Sequence, residues 1–316
     1  MKFLTKKTDW DFLKWRKLSI LLSAILIIGS FASFATKGLV LGLDFTGGVL
    51  IEVGYPEAVQ LKPIRDNLAK SGYEGAIVQY FGSEQDVTIR LQIEEGVSEE
   101  QVRDALEVHL KKDNPGVEIK RVGMVGSAVG EELAEDGGKA MFIAIICIML
   151  YIAIRFEWKF SMGSVAALVH DVIITMGFFS IAGIEFDLTI LAALLAVIGY
   201  SLNDTIVVFD RIRENFITMR NRSPVQVINA SLNQTLARTL MTSITTLLVL
   251  LSLFFLGGPM IHGFSLALIL GVLVGTYSSI YVASTAALAL GITKEDLMVV
   301  EVEKEGADQE NISDYL

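Results

Sequence analysis

The chain has 316 residues, 52% of them hydrophobic, and carries a formal net charge of −10. That apolar share exceeds the ~45–50% of an ordinary soluble domain, and a mean hydropathy of +0.54 excludes a simple soluble protein. One cysteine, Cys147, excludes an intrachain disulfide, and the three histidines (His109, His170, His262) lack metal-ligand spacing. No metal, no cofactor other than protons as a coupling ion, and no nucleic-acid partner is expected.

The elements follow in chain order. Residues 1-17 form a basic segment with Lys14, Arg16 and Lys17 among Trp10, Phe12, Leu13 and Trp15, a composition suited to a membrane surface. A first span covers 18-36; no Ala-x-Ala-like cleavage site follows it, so it is read as an uncleaved anchor. Residues 37-137 are polar and read as a βαββαβ domain. Its strands are expected at Gly48–Val53, Ala76–Phe81, Asp86–Ile93 and Val117–Val125, with a turn at Gly82–Gln85. Its helices are expected at Val59–Lys70 and from Ser98 to about Lys112, the second opened by a Ser98/Gln101 capping box.

Residues 138-290 hold five more apolar stretches, at Ala140–Ile154, Gly163–Ile184, Leu188–Val208, Leu240–Leu256 and Phe264–Leu290. Each approaches the ~20 residues that cross a bilayer, the first only if extended through Gly137–Lys139. Within the first of these, Cys147 reads as a small buried hydrophobe. The basic connector 211-237 reads either as short amphipathic surface helices or as a solvated loop. Gly271 and Gly275 make a small-xxx-small pair for close helix packing. Residues 291-316 form an acidic tail without periodicity. Lys and Arg cluster before the first span and after the second and fourth, while the alternate short loops have none, so both termini are expected in the cytoplasm. The fold expected is a polytopic α-helical membrane protein of six transmembrane helices, with one ferredoxin-like α+β domain between the first two.

Three ionisable residues break the apolar spans. A carboxylate in mid-membrane costs about 2.5–3.5 kcal/mol on insertion scales, a cost usually tied to ion or proton chemistry. Asp204 lies in the fourth span, with Tyr200 on its face and Asn203 beside it. Arg238 opens the fifth, with Thr242 one turn on. Asp171 sits in the third, after His170; here a proton relay and a permanent hydrogen bond to a neighbouring helix stand as equal readings. An acid that alternately pairs with Arg238 and faces water would switch its proton affinity. Asp44, Gly47 and Gly48, at the junction of first span and domain, suit either a hinge or a strand-entry turn. No Walker-type loop is present, so neither ATP binding nor enzymatic activity is expected.

Two stretches carry a family resemblance. Leu43-Asp44-Phe45-Thr46-Gly47-Gly48, and Val197 to Asn215 with its Asn203-Asp204 and Phe209-Asp210-Arg211, resemble the SecF family, as does Asn233 to Thr239. That family is the smaller half of the bacterial SecD–SecF pair, within the RND superfamily. The resemblance implies an auxiliary subunit of the Sec preprotein translocase in the bacterial inner membrane, using the proton-motive force with SecD as a separate chain. It also implies the SecY–SecE–SecG channel, YajC and the translocating preprotein as partners. The family's intramembrane aspartate and arginine fall on Asp204 and Arg238. The alternative is a proton-driven RND-type small-molecule exporter.

Overall fold

The computed structural model describes residues 9–73, 75–91, 99–219, 221–293 and 296. The Ser98 cap, the expected end of the third strand at residues 92–93 and nearly all of the acidic tail lie outside them.

Among the described residues, six helices are long and apolar enough to cross a membrane. A short 3-10 turn, Phe12–Trp15, leads into α1 (Arg16–Thr36), and a single helical turn, α2 (Leu43–Thr46), follows it. The sheet domain then runs β1 (Gly48–Gly54), α3 (Leu61–Lys70), β2 (Ile77–Phe81), β3 (Ser83–Leu91), α4 (Glu99–Asp113) and β4 (Glu118–Val125). The remaining spans are α5 (Ser127–Arg155), α6 (Trp158–Ala182), α7 (Leu188–Thr218), α8 (Pro224–Leu256) and α9 (Pro259–Ser278). A π-helical turn, Ser279–Ala283, joins α9 to α10 (Ser284–Ala289).

The sheet has order β2-β3-β1-β4, antiparallel throughout, which is the split βαβ arrangement expected. Alternation explains its core: Val49, Ile51 and Val53 of β1 turn inward with Val87, Ile89 and Leu91 of β3. Ile64 and Leu68 of α3, and Val102, Leu106 and Leu110 of α4, cover that face. The expected turn at Gly82–Gln85 is tighter than the sequence suggested. Gly82 alone reverses the chain at φ +81°, and residues 83–85 join β3. The carbonyls of Gln85 and Glu84 accept the amides of Tyr55 and Val59, so Val59 is drawn out of the helix expected there.

Within the bundle, α6 and α7 are central; α1, α5 and α8 are more peripheral. Cys147 accordingly sits exposed on the outer face of α5, not buried. α5 begins ahead of the expected domain end at 137. At 29 residues it spans about 44 Å, more than the ~30 Å of hydrocarbon, so one end stands clear of the bilayer and carries the domain. The small-xxx-small pair does pack: Gly271 lies against Val197 and Gly275 against Ser201, bringing α9 onto α7.

The connector 211-237 is neither a loop nor a set of surface helices. α7 continues to Thr218 and α8 starts at Pro224, so helix occupies most of the stretch. Ser223 caps α8 in a capping box with Gln226, and Pro224 suits its first turn. Ile212 and Phe216 pack with Val227, Ile228 and Leu232. The Asn215 amide donates to Ser231 Oγ (2.8 Å) and Gln234 Oε1 (2.9 Å), locking the two extensions together. The N-terminal segment is clasped to α8. Asn233 accepts from the Trp10 amide (2.9 Å) and donates to the Trp10 carbonyl (2.8 Å). One turn earlier, Asn229 accepts from the Leu13 amide (3.0 Å) and donates to Asp11 (2.7 Å). Phe12 and Leu13 are thereby buried, while Trp10 and Trp15 stay exposed.

Candidate functional site

Asp204 lies on α7 with its side chain 3% exposed, and its Oδ2 has no hydrogen-bond partner. The groups acting on this carboxylate come from α8: the Thr242 hydroxyl and, electrostatically, the Arg238 guanidinium. The Thr242 hydroxyl bonds backward to the carbonyls of Thr239 (2.8 Å) and Arg238 (3.2 Å), the usual habit of a helical threonine. No ion pair joins Asp204 to Arg238 in this conformation, and Arg238 is exposed. The Tyr200 and Thr239 hydroxyls are also buried without partners. Unpaired polar groups at this depth are costly; Tyr200 lies one turn before Asp204 on α7, and Thr239 one turn before Thr242 on α8. Asn203, expected beside Asp204, turns to the exposed face.

Asp171 has the opposite character. Its Oδ2 accepts from Ser201 of α7 (2.6 Å) and Ser278 of α9 (2.7 Å), and its Oδ1 meets His170 Nδ1 (2.9 Å). His170 Nε2 lies 3.0 Å from Ser23 Oγ on α1, which meets the Tyr277 hydroxyl at 3.1 Å. Tyr277 in turn donates to the Ser19 carbonyl (2.8 Å). This buried network ties α1, α6, α7 and α9 together. Ser201 is one turn before Asp204, so α7 carries both the unsatisfied acid and a donor to the satisfied acid on α6. Sequence reasoning placed Asp171 but missed Ser23, Ser201, Tyr277 and Ser278. Their signal was polarity within apolar spans, which serine, able to bond its own backbone, shows only weakly.

The Asp44–Gly48 motif forms the seam between domain and bundle. Asp44 accepts the Leu188 amide (3.0 Å), so the first span's exit caps the fourth span's start. The chain beside it pairs with the loop before α7: the Gly42 amide donates to the Phe186 carbonyl, and the Phe186 amide to the Val40 carbonyl, both at 2.7 Å. Phe45 stacks on Phe186. Gly48, at φ +118°, lies so close to the Leu91 carbonyl that a Cβ would sit 2.5 Å from it. Arg90 of β3, buried, ion-pairs with Glu185 and donates to the Leu41 carbonyl (2.8 Å). Burial holds its guanidinium below the ordinary arginine value, against the opposing pull of Asp44 and Asp187. Arg90 and Glu185 were missed because a charge on a strand reads as a solvated face until the bundle is seen beside it.

Among the described residues, no group of three or more His, Cys, Asp or Glu side chains is placed to hold a metal.

Comparisons with known proteins agree with this layout. Residues 32–55 match the SecD/SecF GG motif, and residues 105–293 match the family described as protein export membrane protein SecD/SecF, C-terminal. The protein translocase subunit SecF of Vibrio alginolyticus is 54% identical over 299 residues, 94% of this chain and 95% of that protein. Its counterpart in Escherichia coli O157:H7 is 46% identical over 305 residues, 96% of this chain and 94% of that one. The crystal structure of SecDF from Thermus thermophilus, described as a translocon-associated membrane protein, superimposes with a TM-score of 0.83 at 35% identity over 92% of this chain. This chain spans 39% of that longer one. With the family matched across most of its length and relatives similar nearly end to end, the chain belongs to the SecF family of SecD/SecF membrane proteins.

Proposed function

We propose that the chain is the SecF half of a SecD–SecF assembly and assists Sec-dependent protein export by letting protons move through Asp204. The observation that carries this reading is the unpartnered Asp204 carboxylate oxygen, buried opposite Arg238 and Thr242. A structural carboxylate would be expected to show the full set of bonds seen at Asp171. One left open, with a cation on the next helix, is poised to gain a proton or a guanidinium partner. Exchange between those states changes proton affinity. Each proton crossing yields about 2.3 kcal/mol per 100 mV, and the Asp44–Gly48 seam is where helix movement would reach the sheet domain. Asp171 would stand behind Asp204 as a further relay through Ser201, or hold the helices at fixed spacing.

The partner reading rests on exposure. Arg238, Asn203 and Thr245 are exposed on spans that must cross hydrocarbon, where such groups face protein or water rather than lipid. A second bundle, SecD, would cover this face, in keeping with the longer SecDF relative. The SecY–SecE–SecG channel, YajC and a preprotein would complete the assembly in the inner membrane, with both termini cytoplasmic. Relatives named as translocase subunits favour this over small-molecule export, and no enzymatic step is proposed.

The test uses Asp204→Asn and Arg238→Met, each assembled with SecD in vesicles carrying the Sec channel. Both variants should support gradient-independent export at the wild-type rate and lose the acceleration given by an imposed pH gradient. Acceleration of wild-type size in both variants would refute the reading.

A further inference from the structure

Where the clasped N-terminal segment meets α1, three features line up along one side of the bundle. At the surface, Lys14, Arg16 and Lys17 converge on a cavity of about 330 Å³. Lys14 also lines an adjoining cavity of about 440 Å³ walled by Trp10, Phe12, Trp15 and Tyr281. Tyr281 is in turn a wall of a groove of about 410 Å³ that descends between α1, α6 and α10. Its apolar walls are Ile20, Ala24, Ile27, Ala166, Val282, Ala286 and Ala289, four of the seven being alanines that leave its width open.

We infer that this cleft binds one anionic phospholipid, its headgroup on Lys14, Arg16 and Lys17 and one acyl chain in the alanine-walled groove. Charge complementarity selects the headgroup. The one carboxylate in the surface cavity, Asp11, already accepts the Lys14 amide (3.1 Å) and the Asn229 amide (2.7 Å), leaving the cations to face outward. Trp10, 65% exposed, and Trp15, 56% exposed, sit where the amphipathic ring is favoured, at headgroup level.

Length selects the chain. From Arg16 to Ile27 the helix descends about 16 Å, close to half of the ~30 Å hydrocarbon thickness, so the groove ends where one leaflet ends. Its polar borders are mostly spent internally: Ser19 Oγ bonds the Trp15 carbonyl (3.1 Å), and Ser23 and His170 bond each other. The groove is therefore apolar in chemistry as well as shape. Its Thr285 hydroxyl is buried without a partner among the described residues. Because Asn229 and Asn233 tie this segment to α8, a seated lipid also braces the helix that carries Arg238.

The test is native mass spectrometry of the purified full chain in detergent, titrated with phosphatidylglycerol, with phosphatidylcholine of the same acyl chains, and with glycerol phosphate as a free headgroup. Wild type should retain phosphatidylglycerol in preference to phosphatidylcholine. The Lys14→Gln/Arg16→Gln/Lys17→Gln variant should bind it about a hundredfold more weakly, each cation near an anionic surface contributing about fivefold. Ala24→Leu/Ala286→Leu, which fills the groove, should lose retention with all three cations present. If that variant fails to fold, Ala289→Leu at the exposed rim takes its place. Equal retention of the two lipids, wild-type retention by the filled groove, or displacement of lipid by equimolar glycerol phosphate would each overturn the inference.

Discussion

Arg90, on the third strand of the sheet domain, ion-pairs with Glu185 in the loop between the third and fourth spans. The pair joins two parts of the chain that are otherwise packed separately, one around a sheet core and one around helices. With the Arg90 bond to the Leu41 carbonyl and the Asp44 cap on Leu188, it forms a polar seam just outside the bilayer.

Arg90→Met should therefore loosen the seam without unfolding the domain. Arg90 is buried while Glu185 is 29% exposed, so the loss should fall between the ~1 kcal/mol of a surface pair and the ~3–5 kcal/mol of a buried one. Hydrogen exchange should quicken at the Gly42, Phe186 and Leu188 amides while the β1 and β3 amides stay protected. Arg90→Met/Glu185→Gln should be less damaging than the sum of its single changes, because each single change strands one charge. Strict additivity would show that the two residues are not coupled.

A second ion pair gives the sheet domain a pH signature. Lys120 of β4 reaches across β1 to Asp86 of β3 (2.5 Å), passing over Gly54, where a Cβ would meet its Cε at 2.6 Å. The hydrogen bond from Lys120, helped by Ser83, holds Asp86 below the ordinary carboxylate value, and Asp86 holds Lys120 above the ordinary lysine value. Depression of an acid stabilises the fold at pH above its unfolded value, and that contribution disappears as pH falls through the folded value. Elevation of a lysine stabilises below its unfolded value and is lost as pH rises through the folded one. The pair should thus add a small, salt-sensitive increment between about pH 5 and pH 10. Asp86→Asn should remove it at neutral pH, and its difference from wild type should shrink as pH falls below the ordinary carboxylate value, measured by exchange protection of β3 and β4. Gly54→Val should produce the same loss by blocking the crossing.

How far the sequence could be read depended on how local each cause was. The six spans and the βαββαβ order come from hydrophobic runs and alternation, which act over neighbours, and Val49, Ile51 and Val53 face the core as their spacing requires. Asp204 and Asp171 were legible because an acid in hydrocarbon is anomalous by itself. The connector was misread because residues 211-237 hold charges, amides and apolar side chains in a mixture that propensity leaves undecided. Packing of Phe216 against Val227 and Leu232, with the Asn215 knot, resolves it as helix. Arg90–Glu185 and Ser201–Asp171 pair residues far apart in the chain, and no single-segment pattern announces such partners. Asn203 illustrates the converse: adjacency to Asp204 in sequence turns it about 100° away on a helix.

The Asp171 network separates the two readings that its position in the third span left open. If it only joins helices, what counts is the number of hydrogen bonds it accepts. Ser201→Ala and Ser278→Ala should each lower stability by about 1–3 kcal/mol, and the double variant by more than the sum, since each single change leaves the shared carboxylate oxygen one donor and only the double change strands it. Asp171→Leu strands both serines and the His170 Nδ1 edge together, and should be the most damaging change in a thermal unfolding series in detergent. Asp171→Asn keeps the shape and one acceptor oxygen, so it should unfold closest to wild type. That makes Asp171→Asn the informative variant in gradient-driven export. An amide cannot carry a proton onward, so a relay predicts wild-type assembly with the gradient response lost, as for Asp204→Asn. A joint predicts that response intact at wild-type magnitude, and the relay assignment of Asp171 would then be withdrawn while that of Asp204 stood on its own unpartnered oxygen.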